Sequence, residues 1–159
     1  MDPVLREATL DDAPLLAELT RAAWRDTVAV TSSGHRETAL QAAAHLQRGG
    51  AFILLIDEMP AGSVRWLPQE GDADVWEILR MGVLPRFRGH HLSQHLLEAV
   101  VHHAQACGVD ELRLAVRADA SRLLDLYAAY GFELAPELDY AHANPLEPTP
   151  MVMRCRLRR

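Results

Sequence analysis

A basic turn, Arg86-Phe87-Arg88-Gly89-His90-His91, joins two stretches of contrasting pattern and is the first place where chemistry is expected. Upstream, Ile78, Leu79, Met81 and Val83 sit in an apolar run closed by Pro85, as in a strand. Downstream, Leu92, Leu96, Ala99, Val100, His103 and Ala104 recur at helical spacing along one face. A strand that passes through a cationic, glycine-containing turn into a helix gathers unsatisfied N–H groups and a positive helix end at one point. That combination suits a phosphate. His91, His95, His102 and His103 lie along the same helix, and His91 with His95 has the i, i+4 spacing of a chelating pair. No acidic residue stands at the zinc-protease spacing, so no metal site is expected.

The segment Val83-x-Pro85-x-x-Arg88-Gly89-x-x-Leu92-x-x-x-Leu96-Leu97 resembles the acyl-CoA binding segment of the GNAT superfamily of N-acetyltransferases. The run Glu77-Ile78-Leu79-Arg80-Met81-Gly82-Val83 before it resembles that superfamily's fourth strand. The usual turn reads Arg/Gln-x-x-Gly-x-Gly/Ala. Begun at Arg88, it sets His91 at the Gly position and Ser93 at the Gly/Ala position. Both are departures, because small residues there let a pyrophosphate approach the backbone. The resemblance implies acetyl-CoA as co-substrate, with its pantetheine arm against the backbone of Met81, Gly82 and Val83. Its pyrophosphate would rest on the turn formed by Arg88, Gly89, His90, His91, Leu92 and Ser93. The imidazoles of His90 and His91 could donate to a phosphate, or only their backbone N–H groups could act.

A second stretch, Ala120-Ser121-Arg122-Leu123-Leu124-Asp125-Leu126-Tyr127-Ala128-Ala129-Tyr130-Gly131-Phe132, resembles the superfamily's downstream Asn-x-x-Ala-x-x-Leu-Tyr-x-x-x-Gly-Phe signature. Leu126, Tyr127, Gly131 and Phe132 match it; Ala120 replaces the usual Asn and Leu123 the usual Ala. The matching Tyr commonly protonates the departing CoA thiolate, and a phenol suits that role with a reference pKa of about 10 against about 8.5 for a thiol. The other reading makes Tyr127 an amphipathic core residue with its hydroxyl on a backbone group. An acceptor amine is protonated at neutral pH and must lose a proton before it attacks a thioester. Glu77, on the central strand, is the candidate base, directly or through a water, unless it pairs with Arg80 or Arg65 or faces solvent.

These residues must be positioned by elements that the pattern also outlines. Residues 4–8 form a short strand, and Asp11 is an expected N-cap for a helix to about Arg25, with Leu15, Leu16, Leu19, Ala22 and Ala23 on one face. Residues 27–34 form a polar loop, and 37–48 a second helix closed by Gly49-Gly50. Residues 51–57 and 63–67 make a hairpin across a 58–62 turn, followed by an acidic turn over 68–74 and the central strand from Val75. A long helix runs from about Gly89 to Ala106; then come a strand at 111–116, a short helix at 121–130, and a strand at 151–157. Trp24, Trp66 and Trp76 could line an acceptor cleft but are first of all core candidates. Arg154, Arg156, Arg158 and Arg159 read as a solvated strand face.

A chain of 159 residues with 49% hydrophobic content suits one domain over residues 1–159. The alternation predicts an α/β fold, and the resemblance makes its sheet a mixed, mostly antiparallel, splayed one with helices on both faces. No apolar run reaches membrane-spanning length, and the first residues lack a signal peptide's apolar segment. Cys107 and Cys155 are the only cysteines and form no Cys-x-x-Cys pair, so a cytoplasmic location is expected. A net charge of -6 argues against nucleic acid as partner and mildly favours a cationic acceptor. The expected activity is acetyl transfer from acetyl-CoA to a primary amine of a small molecule or peptide. Its alternative is a GNAT-fold module that binds acyl-CoA or a partner protein without catalysis. A nucleotide binder is disfavoured, since neither Gly-x-x-x-x-Gly-Lys-Ser/Thr nor Gly-x-Gly-x-x-Gly occurs. Many relatives pair through C-terminal strands, which leaves a homodimer open.

Overall fold

β1 (Pro3–Glu7) pairs antiparallel with β2 (Gly50–Ile56), which turns back into β3 (Met59–Gln69) and then β4 (Asp72–Val83). With β5 (Glu111–Val116), β6 (Glu133–Leu134) and β7 (Met151–Arg156), they form one sheet in the order β1-β2-β3-β4-β5-β7-β6. The protein is described by a computed structural model over residues 2–25, 36–138, 146 and 148–157. The expected 27–34 loop and Arg158 and Arg159 lie outside the described residues.

The hairpin is tighter than its sequence suggests. Asp57 and Glu58 both hold positive φ, 49° and 69°, which a two-residue turn requires, so β3 begins at Met59 rather than at Ser63. Pro60 is accommodated where the β2–β3 register shifts, a place that lacks one ladder donor anyway. The acidic turn likewise shrinks to Glu70-Gly71, with Gly71 at φ 82°, and β4 starts at Asp72.

Helices cover both faces. α1 (Ala13–Trp24) and α2 (Ala39–Arg48) share a core cluster of Ala13, Leu16, Ala17, Leu19 and Ala42 with Ala51 and Ile53 of β2. α3 (Leu92–Ala106) and α4 (Leu123–Ala128) belong to the larger cluster, in which Leu96, Leu97 and Val100 meet Leu54, Val64, Trp66, Trp76, Ile78 and Leu112. Alternate residues of β2 thus enter opposite cores, and each fully buried Leu or Ile contributes about 1.5–3 kcal/mol. No helix among the described residues is long and apolar enough to cross a membrane.

Three helix starts differ from the sequence expectation. Asp11 does not cap α1. A 3₁₀ turn, Leu10–Asp12, precedes it, and Asp12 accepts from the Thr9 amide at 2.8 Å and from both Arg6 nitrogens at 2.8 Å. The Arg6 hydrogen bonds hold the Asp12 carboxyl down at about 2. α2 starts at Ala39, because Thr38 and Gln41 close a capping box and leave Glu37 outside the helix. α3 starts at Leu92, since Gly89 at φ 88° and His91 at φ 56° are left-handed and cannot be helical.

Candidate active site

The site starts from an interruption in the sheet. β4 and β5 run parallel, and their ladder joins Val75, Trp76, Glu77 and Ile78 to Glu111, Leu112, Arg113 and Leu114 and goes no further. Opposite β3, Val64 faces two residues of β4, Arg80 and Met81, with Arg80 at φ 55°. A bulge of this kind bends its strand and sharpens its twist, and here it falls just past the last β4–β5 rung. The five final residues of β4 therefore leave β5 and open a gap. The Leu84 amide bonds Ala61 of β3, so by strand alternation Val83 and Met81 turn their backbone groups toward that gap.

The gap leads to the basic turn. None of the amides of Gly89, His90, His91, Leu92 and Ser93 donates to an acceptor among the described residues. Two left-handed residues and the first turn of α3 thus hold five donors in sequence at the positive end of a 15-residue helix. His91 does not fill the turn: it is exposed, with Nδ1 3.5 Å from the Gln94 side chain. Arg88 plays a different part from its neighbours. Its amide bonds the Pro85 carbonyl and its guanidinium donates to the Ala23 carbonyl, tying the turn to the end of α1. Gly82 serves the same approach, since a Cβ there would lie 3.0 Å from the Ala23 Cβ and 3.3 Å from Trp24 Nε1.

Tyr127, on α4, is 8% exposed and packs edge-on against Phe132 with ring centroids 6.1 Å apart. Its hydroxyl makes no hydrogen bond among the described residues, so the backbone anchor considered for a purely structural role is not there. Burial pushes the phenol's pKa up, and the charge of Arg117, at the end of β5, pulls it back down. Glu77 is buried on β4, opposite Arg113 of β5 and Leu67 of β3, within the laddered section. Arg65 and Arg80, considered as structural partners for Glu77, pair with a different carboxylate, that of Glu37.

That carboxylate centres a network that sequence reasoning missed. Glu37, 1% exposed, receives Arg65 through Oε1 and meets Arg80 at 3.2 Å through Oε2. Arg65, fully buried, also contacts His45 Nδ1 at 3.0 Å and the Thr20 hydroxyl at 3.1 Å, and Arg21 donates to the Glu37 carbonyl. The Thr38-x-x-Gln41 capping box was the one available signal, and it says only that Glu37 precedes the helix, not that it reaches the sheet.

The three tryptophans divide. Trp66 and Trp76 stack 5.7 Å apart in the α3 core beside His103. Trp24 instead sits on the α1 side, with Arg80 of β4 and Arg117 beyond β5 at 5.4 and 5.5 Å from its ring. Arg154 is not simply solvated, as it pairs with Glu137 at 2.6 Å. Among the described residues no group of three or more His, Cys, Asp or Glu is placed to hold a metal ion.

A sequence model of the acetyltransferase (GNAT) family matches residues 16–132. No curated protein matches the chain in sequence. Among solved structures, the PaiA N-acetyltransferase of Thermoplasma acidophilum, in complex with coenzyme A, superposes with a TM-score of 0.77 at 17% identity, over 98% of this chain and 99% of its own. The ribosomal-protein-S18-alanine N-acetyltransferase of Escherichia coli gives 0.78 at 17% identity, over 99% and 96%. YncA of Salmonella typhimurium, described as a putative acetyltransferase with its cofactor acetyl-CoA, gives 0.74 at 16%, over 100% and 96%. At these identities the likeness is one of fold.

Proposed function

The chain belongs to the acetyltransferase (GNAT) family, and from that membership we propose that it transfers an acetyl group from acetyl-CoA to a primary amine. The observation that carries this reading is the continuous path from the unladdered edge of β4 to the five amides of residues 89–93, which meet no acceptor among the described residues. A diphosphate on those amides would sit at a helix N-terminus, with its thioester arm lying along Met81, Gly82 and Val83. The two structural neighbours described with coenzyme A or acetyl-CoA support the same co-substrate.

In this reading the amine nitrogen attacks the thioester carbonyl carbon directly. A backbone N–H on the exposed edge of β4 stabilises the developing oxyanion. The carbon–sulfur bond breaks, Tyr127 gives its proton to the thiolate, and the second proton, lost by nitrogen as the amide forms, passes to solvent, which restores the phenol. Glu77, recessed in the laddered section, takes the ammonium proton through a water. Arg88 keeps the turn seated on α1, and the amides from Gly89 to Ser93 do the binding.

Two measurements test the assignment. Acetyl-CoA at about one hundred times its Kd is expected to add about 2.7 kcal/mol of stability, growing with concentration, as a shift in Tm. No shift, with no competition by a coenzyme A analogue, sinks the proposal; a shift without coenzyme A release to any amine leaves only a binding module. Glu77→Gln is expected to slow transfer most near neutral pH. Its deficit should shrink as pH rises toward the acceptor's own pKa, because the amine then arrives deprotonated. A deficit that is constant across pH removes Glu77 from proton transfer.

A further inference from the structure

Trp24 stands where the acyl end of the co-substrate would finish, and the inference drawn from it rests on the acetyl-transfer reading above. We propose that its indole is the end wall of the acyl site, so that the protein takes acetyl-CoA and rejects coenzyme A thioesters with longer acyl chains.

Three contacts set the indole across the gap. A Cβ on Gly82 would lie 3.3 Å from Trp24 Nε1 and 3.6 Å from Cδ1, so the pyrrole edge rests directly on β4. The Arg80 guanidinium, two residues past the last β4–β5 rung, lies 5.4 Å from the ring centroid. The Arg117 guanidinium, three residues past Leu114 and its rung to β4, lies 5.5 Å from it. The ring therefore meets both lips just beyond the point where the strands part. Arg88 steadies the helix end that carries it, since its guanidinium donates to the carbonyl of Ala23, the residue before Trp24.

The direction of the co-substrate brings its acyl group to this ring. An arm that leaves the amides of residues 89–93 and follows Val83 and Met81 ends its thioester at the narrow end of the gap, beside Arg80. Tyr127, the proposed donor to sulfur, belongs to the core on the α3 side of the sheet, whereas Trp24 stands on the α1 side. With the proton donor on one face, the acyl carbon turns toward the other and its methyl group toward the indole. An indole turns about only two side-chain bonds and has no flexible end to move aside. A wall of that kind, packed at the density of a protein interior, registers a single added methylene. Gly82 lets it stand this close to the strand, since a side chain there would crowd Ala23 and Trp24 alike.

The test compares acetyl-, propionyl- and butyryl-CoA as donors, read by coenzyme A release with a panel of primary amines. In the parent, kcat/KM is expected to fall about tenfold or more with each added methylene. Trp24→Ala should bring all three donors to within about threefold of one another, and Trp24→Phe should give intermediate ratios. These ratios do not depend on how much of a variant is folded, because every donor meets the same active fraction. A second readout needs no turnover: butyryl-CoA should raise the Tm less than acetyl-CoA in the parent, and equally in Trp24→Ala. A parent that uses butyryl-CoA as readily as acetyl-CoA overturns the proposal, whatever the variants do. So do variants that slow every donor in proportion, since that is what a tryptophan merely bracing α1 would give. Indifference to acyl length sinks this inference alone, whereas failure of all three thioesters to bind sinks the acetyl-transfer reading with it.

Discussion

Tyr127→Phe is expected to lower kcat by about 10²- to 10⁴-fold while leaving the Kd of acetyl-CoA nearly intact, the range that a positioned general acid supplies. The substitution removes one oxygen and keeps the ring, so packing against Phe132 in the α3 core is preserved. The hydroxyl bonds nothing among the described residues, so its loss orphans none of their polar groups. Burial raises the pKa of the phenol, which keeps it protonated at neutral pH, where a proton donor must be; Arg117 moderates that rise. The measurement is steady-state turnover beside a binding titration with acetyl-CoA. Parallel loss of turnover and affinity would make Tyr127 a wall of the site and not its acid. A fully active variant would hand protonation of sulfur to solvent.

Much of this arrangement was legible because the strongest signals were local. Over residues 111–116 Leu112 and Leu114 alternate with the charged Glu111 and Arg113, and β5 spans the same six residues. The basic turn between an apolar strand and an amphipathic helix marked the place where the structure gathers its run of free-standing amides, and the departures at His91 and Ser93 are compatible with an open turn. His91 takes the left-handed conformation that glycine would take more cheaply, while its ring stays outside. What the sequence hid was long-range. Nothing in residues 37–80 says that Glu37, read as the first residue of a helix, reaches across to Arg65 and Arg80. Arg65 and Arg80 alternate with apolar neighbours like any half-exposed strand residues, and only the packing of α1 and α2 on the sheet buries Arg65. The bulge at Arg80 was equally silent, because a left-handed non-glycine residue leaves no compositional mark. Yet that bulge falls where the gap opens. The end of β4 was legible; the reason it parts from β5 was not.

The Glu37 network yields the largest expected change in stability. Glu37→Gln keeps the shape of the side chain but removes the anion that meets both Arg65 and Arg80. Burial already pushes the Arg65 pKa down and Glu37 holds it up, so without Glu37 a guanidinium with no exposed side-chain surface is left uncompensated. Removing one partner of a buried pair costs about 3–5 kcal/mol. For a chain of this size that corresponds to a fall in Tm of about 6–20 °C. Arg65→Met in the same background removes the stranded charge and fills its space with a flexible apolar chain, so the double variant should recover part of the loss. Melting curves of the two variants measure both changes. A Glu37→Gln protein within about 1 kcal/mol of the parent would show that water reaches Arg65 and that the network is not the clamp between α1, α2 and the central strands. A double variant no more stable than Glu37→Gln alone would mean that the missing carboxylate itself, and not the stranded Arg65 charge, sets the cost.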